Sequence, residues 1–379
     1  MPWQESTPMS QRREFVQLAS REGANVRELC RRFQISPTTG YARLRRYAAE
    51  GEAGLGDRSR RPHTSPARTG SAMEAAILAL RQAHPTWGGR KLHHALKAAG
   101  HDAVPAPSTI TAILHRTGML APDPAAPRAL RRFAHDAAHE LWQMDFMGHR
   151  PLDQGRVHPL TILDDHSRFL LQLTACATQQ REVVQTHLTA CFRQYGLPRI
   201  ILTDNGPPWG TSGAGGITRL EVWLMRLGIA LWHGRPSHPQ TQGKVERIHR
   251  TIAADVFGHR TFTDLDAAQE AFAAFRAVYN QQRPHAALAF AVPISRFAPS
   301  PRPFPETLPP VEVADGDHAR KVKTHGVLTF RNQTFFVGRG LGGETVGVRP
   351  TAHPARFTVH FGAFELTTID LAYPEEQTA

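Results

Sequence analysis

Three stretches decide how this chain is read: LWQMDFMGH at residues 141–149, IILTDNGPPWG at 200–210 and HPQTQGKVERIHRT at 238–251. Each carries one acid in a telling place. Asp145 lies within an apolar run of strand character, and Asp204 directly follows the apolar run IIL. Glu246 flanks Val245, Ile248, Ile252 and Val256, which recur at helical spacing. A carboxylate set among Leu141, Trp142, Met144, Phe146 and Met147 costs desolvation energy unless a cation offsets it. Hard oxygen donors suit Mg²⁺ or Mn²⁺. Two such ions about 4 Å apart activate a nucleophile and stabilise the leaving oxygen at a phosphodiester. Singly, each acid has an ordinary reading. Asp204 with Asn205-Gly206 is turn chemistry, and Glu246 one turn before Arg250 is an i to i+4 ion pair. As an ordered set, Asp145, Asp204 and Glu246 are read as catalytic residues holding two divalent ions. Asp164 and Asp165, in LDDHSRF, are rivals whose place between two strand-like runs favours a hairpin turn closed by Ser167 and Arg168.

Around these acids the pattern is mixed. Strand-like runs fall at 141–147, 157–163, 169–175, 199–203 and 229–232, and helical stretches at 181–195, 220–227, 245–257 and 265–279. Three consecutive strands followed by alternating helix and strand are the order of a ribonuclease H-like α/β core with a mixed sheet, here expected over residues 137–295. Prolines at 293, 299, 301, 303, 305, 309 and 310 make residues 296–310 a linker. Beyond it VLTF, QTFFV, TVGVRP and RFTVHF are short β-branched and aromatic runs, expected to form a small β-barrel or sandwich over 311–379. Gly338, Gly340 and Gly343 satisfy GxGxxG, but a further strand follows them. A hairpin turn is the better reading than a dinucleotide site.

The N-terminal third reads differently. Phe15, Leu18 and Ala19 form one helical face, Val26, Leu29 and Phe33 a second after Gly23, and Tyr41, Leu44 and Ala48 a third. Ser36-Pro37 is an N-cap followed by a first-turn proline, so residues 1–66 are expected to hold a helix-turn-helix module and a basic linker. Thr38, Thr39, Arg43 and Arg46 are the expected DNA-facing residues of the third helix, with Arg58, Arg60 and Arg61 on a basic arm. An ordinary solvated helix face would look similar. A second helical unit is expected over 67–120, with apolar faces Met73, Ile77, Leu80, then Leu92, Leu96, Ala99, then Ile110, Ile113, Leu114. His93 and His94 are adjacent and read as solvated. A proline-rich linker covers 121–136.

At 379 residues the chain is too long for a single core, and a net charge of +12 favours polyanionic partners. Arginine outnumbers lysine by 40 to 5, which composition alone explains in a GC-rich genome. Cys30, Cys176 and Cys191 have no CxxC spacing, which points to buried thiols and away from disulfides or a zinc ribbon. With no apolar stretch of membrane length and no secretory pattern at the start, the expected setting is cytoplasmic.

The segments RSRRPH, TWGGRKL, DDHSR, DNGPPWG, HPQTQGKVERIHRT and YNQQRPHAAL resemble the DDE transposases and integrases of bacterial insertion sequences, most closely the IS481 branch of the IS3-like group. The resemblance runs through nearly the whole chain. It implies a retroviral-integrase-type core using Mg²⁺ or Mn²⁺, cleavage of DNA at the element's ends and attack of the freed 3′ hydroxyl on target DNA. It implies double-stranded DNA as partner and a homo-oligomer, at least a dimer, on paired ends. By the same resemblance Asp145, Asp204 and Glu246 are the metal ligands. Gln240, Gly243 and Lys244 match the loop and helix start before Glu246, with Lys244 placed for phosphate, and Arg250 matches a DNA-backbone position. Two departures stand out. Asp204 and Glu246 are separated by 41 residues where many IS3-like members have about 35. The excess is placed in the glycine-rich loop TSGAGGITRL. Ala253 stands where relatives commonly carry a basic residue. Two other readings use the same residues: a transposase-derived DNA-binding protein without catalysis, and a ribonuclease H-like nuclease that does not transfer strands.

Overall fold

A computed structural model describes residues 7–58, 68–120, 135–210, 216–234, 243–258 and 260–372. The chain divides into two compact units, Met1–Arg68 and Thr69–Ala379. Arg60 and Arg61, Gln240, most of the linker at 121–136 and the first half of the glycine-rich loop lie outside the described residues.

The first unit is three helices, α1 (Pro8–Ala19), α2 (Val26–Arg32) and α3 (Pro37–Glu50), closed by a 3-10 turn at Gly51–Leu55. Ser36 caps α3 through its side chain, accepting from the Thr39 N–H at 3.1 Å, and Pro37 opens the helix. Phe15, Val16, Cys30 and Leu55 form the buried centre, with Leu44 and Tyr47 of α3 packed against it. The inner face of α3 therefore differs from the expected one: Tyr41 is exposed, and Gly40 is buried in its place. A Cβ at Gly40 would lie 2.4 Å from Cys30 Sγ and 3.0 Å from Phe15 Cζ, so only glycine lets the three helices meet this closely.

The second unit opens with α4 (Ser71–Ala83), α5 (Gly89–Ala98) and α6 (Pro107–Arg116), packed around Ile77, Trp87, Leu92, Leu96, Ile110, Ile113 and Leu114. Left-handed Gly100 and Gly118 end the last two helices. The histidines read as solvated are engaged instead. His93 Nδ1 lies 2.8 Å from the Pro105 carbonyl oxygen, and the His94 ring stacks on Phe290 at 4.2 Å.

The central sheet contains β1 (Leu141–Phe146), β2 (Arg150–Leu152), β3 (Gly155–Asp164), β4 (Leu170–Cys176), β5 (Ile200–Thr203) and β6 (Ala230–His233). Its order is β2-β3-β1-β5-β6, with β4 also paired to β3. β1 runs antiparallel to β3 and parallel to β5, which makes the sheet mixed as expected. One face packs on α7 (Arg181–Tyr195) and α8 (Arg219–Arg226) through Trp142, Met144, Phe192, Ile201 and Trp223. The other packs on α9 (Gly243–Ile252) and α10 (Leu265–Gln281) through Leu163, Leu173, Val245, Ile248, Ile252 and Phe272. β1 thus alternates between faces. Trp142 and Met144 belong to the α7–α8 core, and the side chains between them belong to the α9 side.

The proline-rich stretch is an irregular connector, and it is fastened to the core: Phe297, Phe304 and Leu308 pack against the α7–α8 cluster, and Arg302 donates to the carbonyls of Pro198, Leu227 and Gly228. The small β fold takes the form of two antiparallel sheets sharing one core. One joins β7 (His318–Lys321), β10 (Thr345–Pro350), β11 (Arg356–Phe361) and β12 (Phe364–Asp370); the other is the hairpin β8 (Val327–Phe330) with β9 (Gln333–Phe336). Gly338 and Gly340 form no β-hairpin turn and no dinucleotide site. They are points of close approach to the core, where a Cβ on Gly340 would come within 2.3 Å of the Thr218 backbone and the Gly340 N–H donates to the Ile217 carbonyl at 2.8 Å.

Candidate active site

Parallel pairing of β1 with β5 matches Gln143 to Leu202, so Asp145 and Asp204, each two residues further on, emerge side by side at the same end of the sheet. Asp145 lies on the α9 face of β1 with its carboxyl largely covered; Asp204, just past β5, is exposed and accepts from the Gly206 N–H at 3.1 Å. Glu246 sits in the first turn of α9, exposed, next to the buried Val245. Burial pushes the Asp145 carboxyl up to about 7, reinforced by the charge of Asp204 and then of Glu246. The three acids therefore feel one another.

Beside Asp145 stands His249, whose Nδ1 lies 4.0 Å from Asp145 Oδ2 and whose Nε2 lies 3.1 Å from Thr161 Oγ1. Burial, aided by Arg150, holds His249 down to about 4, so near neutral pH it brings no positive charge to the acids. His249 was not foreseen from sequence. It stands one turn after Glu246 on the same helix, and only the pairing of Asp145 with Thr161 across β1 and β3 brings it to the site.

Among the described residues no three His, Cys, Asp or Glu side chains converge as a ready-made ion cage. The donor set nevertheless fits a divalent cation. Three hard carboxylates stand near enough for the charges of Asp204 and Glu246 to add to the rise that burial gives Asp145, a rise that a cation would relieve.

The rival acids have other partners. Asp164, fully buried, accepts from the Ser167 N–H and hydroxyl and from the His139 N–H, closing the hairpin turn. Asp165, also fully buried, binds Lys244, Gln143 and His135. Burial alone would raise Asp165, but Lys244 and His135 outweigh it and hold its carboxyl below the ordinary value.

The expected DNA-facing residues divide. Thr38 is exposed, Thr39 engages the Ser36 hydroxyl, and Arg250 is exposed on α9. Lys244 is not turned to solvent for phosphate but paired with Asp165. Arg43 reaches the carbonyls of Leu55 and Gly56 and the Asp57 carboxylate, and Arg46 donates to the Gly56 carbonyl at 2.7 Å. Both arginines fasten α3 to the turn after it because that turn offers carbonyls within their reach. Arg58 is exposed and paired with Glu50. The outward face of α3 instead presents Thr38, Tyr41 and Arg45.

Comparison with known proteins follows the same layout. Residues 135–239 and 227–293 match integrase core domain models, 11–63 a helix-turn-helix domain, 39–114 a homeodomain-like domain, and 317–377 the C-terminal domain of the IS481 family transposase. The chain is 27% identical over 252 residues to the insertion element IS476 uncharacterized 39.2 kDa protein of Xanthomonas euvesicatoria, covering 65% of this chain and 70% of that one. It is 30% identical over 162 residues to the insertion element IS407 uncharacterized 31.7 kDa protein of Burkholderia multivorans, covering 43% of this chain and 56% of that one. A chain of the simian T-cell lymphotropic virus intasome, solved in complex with PP2A regulatory subunit B56 gamma, aligns over 77% of this chain and 99% of its own at 17% identity and a TM-score of 0.38, a likeness too loose to build on. The chain thus carries segments that match an integrase core, helix-turn-helix domains and the C-terminal domain of the IS481 family transposase, and it is similar to proteins of insertion elements.

Proposed function

We propose that this chain is a DDE-type transposase: it binds the terminal repeats of its element, cleaves DNA at the ends and transfers the freed 3′ hydroxyl to target DNA. What supports this reading is the emergence of Asp145 and Asp204 at one end of neighbouring parallel strands, with Asp145 raised to about 7 by burial and by the charges of Asp204 and Glu246. These three acids would hold Mg²⁺ or Mn²⁺, which would supply a more acidic nucleophile and a stabilised leaving oxygen. The chain's own side chains do the rest. His249, neutral, is held by the Thr161 hydroxyl and adds no charge beside Asp145, and exposed Arg247 and Arg250 flank Glu246 on α9, where a phosphate backbone meets positive charge. The helical modules at 1–66 and 67–120 grip end DNA, and the β module at 311–379 holds DNA or a second subunit of a homo-oligomer, at least a dimer, on paired ends.

The test is incubation of the full chain with its own element's end sequences, Mg²⁺ and a plasmid target. Expected are nicks at the 3′ ends and end-to-plasmid joints, both absent with Asp145→Asn. Nicking without joints, even from pre-nicked ends, assigns the site to a nuclease. DNA binding with neither product leaves the non-catalytic reading.

A further inference from the structure

We infer that Gln143 and Asp165 are positioning residues that hold the first turn of α9, and with it Glu246, against the strand carrying Asp145. The inference rests on the metal-site reading of the three acids. Gln143 lies two residues before Asp145 on the same face of β1 and is 1% exposed; Asp165 is fully buried. A buried amide and a buried carboxylate cost free energy unless every polar atom finds a partner. Here the partners are specific. Gln143 Oε1 accepts from the Val245 N–H at 3.3 Å, and its Nε2 donates to Asp165 Oδ1 at 2.8 Å. Turned over, the amide would set NH₂ against N–H and oxygen against carboxylate, so the network fixes its orientation. Asp165 Oδ1 also takes the Lys244 ammonium, and its Oδ2 accepts from the His135 backbone N–H at 2.9 Å.

The two residues immediately before Glu246 are thus both tied to this bracket, Lys244 through its side chain and Val245 through its backbone. The Val245 N–H belongs to the first turn of a helix, where amides lack partners within the helix. Gln143 supplies the missing acceptor from the strand. Because α9 leaves the bracket one residue before Glu246, freeing its first turn would move Glu246 away from Asp145 while the buried Ile248 and Ile252 kept the rest of the helix in place.

Two measurements on the full chain separate positioning from mere support. Gln143→Met removes both hydrogen bonds at similar volume, and Asp165→Asn keeps the shape while removing the charge. Binding of Mn²⁺ alone is followed by electron paramagnetic resonance, and amide exchange is followed over residues 243–252. Expected are faster exchange confined to the first turn of α9 and Mn²⁺ affinity at least fivefold weaker in Gln143→Met and at least twofold weaker in Asp165→Asn, with end-DNA affinity within twofold of wild type. Faster exchange with wild-type Mn²⁺ affinity reduces the bracket to a structural role and overturns the inference. Unchanged exchange and affinity overturn it too, and if Gln143→Met fails to fold the Asp165→Asn result decides alone. Should Asp145→Asn bind Mn²⁺ as wild type does, the reading of the acids fails first and the bracket falls with it.

Discussion

Charge is handled in opposite ways in the first helical unit and at the carboxylate end of the central sheet. In the unit Met1–Arg68, Arg12 and Arg43 converge on Asp57, Arg13 meets Glu52, Arg31 meets Glu28 and Arg58 meets Glu50. At the sheet end, three acids share space while the nearby lysine serves Asp165 and the nearby histidine is held neutral. A basic residue in a DNA-binding-type fold is therefore not by itself a DNA contact, since many are already satisfied within the unit. Uncompensated acids in a partly buried setting are the more informative signal.

The largest expected effect tests the uncompensated end. Asp145→Asn or Glu246→Gln is expected to lower Mg²⁺-dependent end cleavage by roughly 10³-fold or more, the scale on which loss of one member of a catalytic unit acts, with end-DNA binding retained. Cleavage within tenfold of wild type in a well-folded variant would remove these acids from the site. Stability offers an independent check. The carboxyl of Asp145 is raised from 3.8 to about 7 on folding, so its contribution is fully present below pH 4 and lost as pH rises to about 7. Without metal, Asp145→Asn is then expected to be more stable than wild type at pH 8, by roughly 4 kcal/mol at most. Mg²⁺ should close that gap for wild type alone. Thermal unfolding with and without Mg²⁺ reads this out, and a variant less stable than wild type at pH 8 would contradict the excess of negative charge.

Much of this was legible beforehand, for a physical reason. The α/β core announces itself because buried strands and amphipathic helices have different periods, and α7 falls on residues 181–195 as the periodicity predicts. The three acids were singled out because a strand such as LWQMDF has no ordinary use for an aspartate; their role is the proposal that the cleavage assay tests. Strand β7, with all four residues exposed, and strand β2, three residues long, left no period to read. Gln143 and His249 were not singled out, and Asp165 was read as a hairpin residue, since the contacts they make depend on which strand lies beside which. Arg43 and Arg46 were misplaced because a helix face shows which side is polar, while carbonyls offered by a later turn, residues 55–56, cannot be seen in it.

Two smaller effects sharpen the compensated side. Gly40→Ala is expected to destabilise the first unit by about 1–3 kcal/mol through overpacking against Cys30 and Phe15. Amide exchange in α1–α3 measures it, and an unchanged rate would mean that the helices have room to part. Arg43→Met should cost about 1–2 kcal/mol for its carbonyl hydrogen bonds to Leu55 and Gly56. Arg45→Ala, on the exposed face, should leave stability alone and reduce the salt slope of end-DNA binding by about one. Exchanged phenotypes for these two arginines would mean that Arg43 abandons its partners for DNA.

The smallest effect concerns Asp57 itself. Hydrogen bonds from Arg43 and then Arg12 hold its carboxyl down to about 2, below its ordinary 3.8. A depressed acid stabilises the fold above its unfolded value and loses that contribution as pH falls, here between about pH 4 and pH 2. The carboxylate is exposed, so water and salt screen the pairing and the energetic gain is small. Amide exchange in α3 of the full chain, followed from pH 5 to pH 2.5, should show opening that rises toward acid in wild type and rises less in Asp57→Asn. The difference between the two should shrink in high salt. If both proteins open with the same acid slope at low salt, the arginines are held by the backbone carbonyls alone and Asp57 is incidental to closing the helical unit.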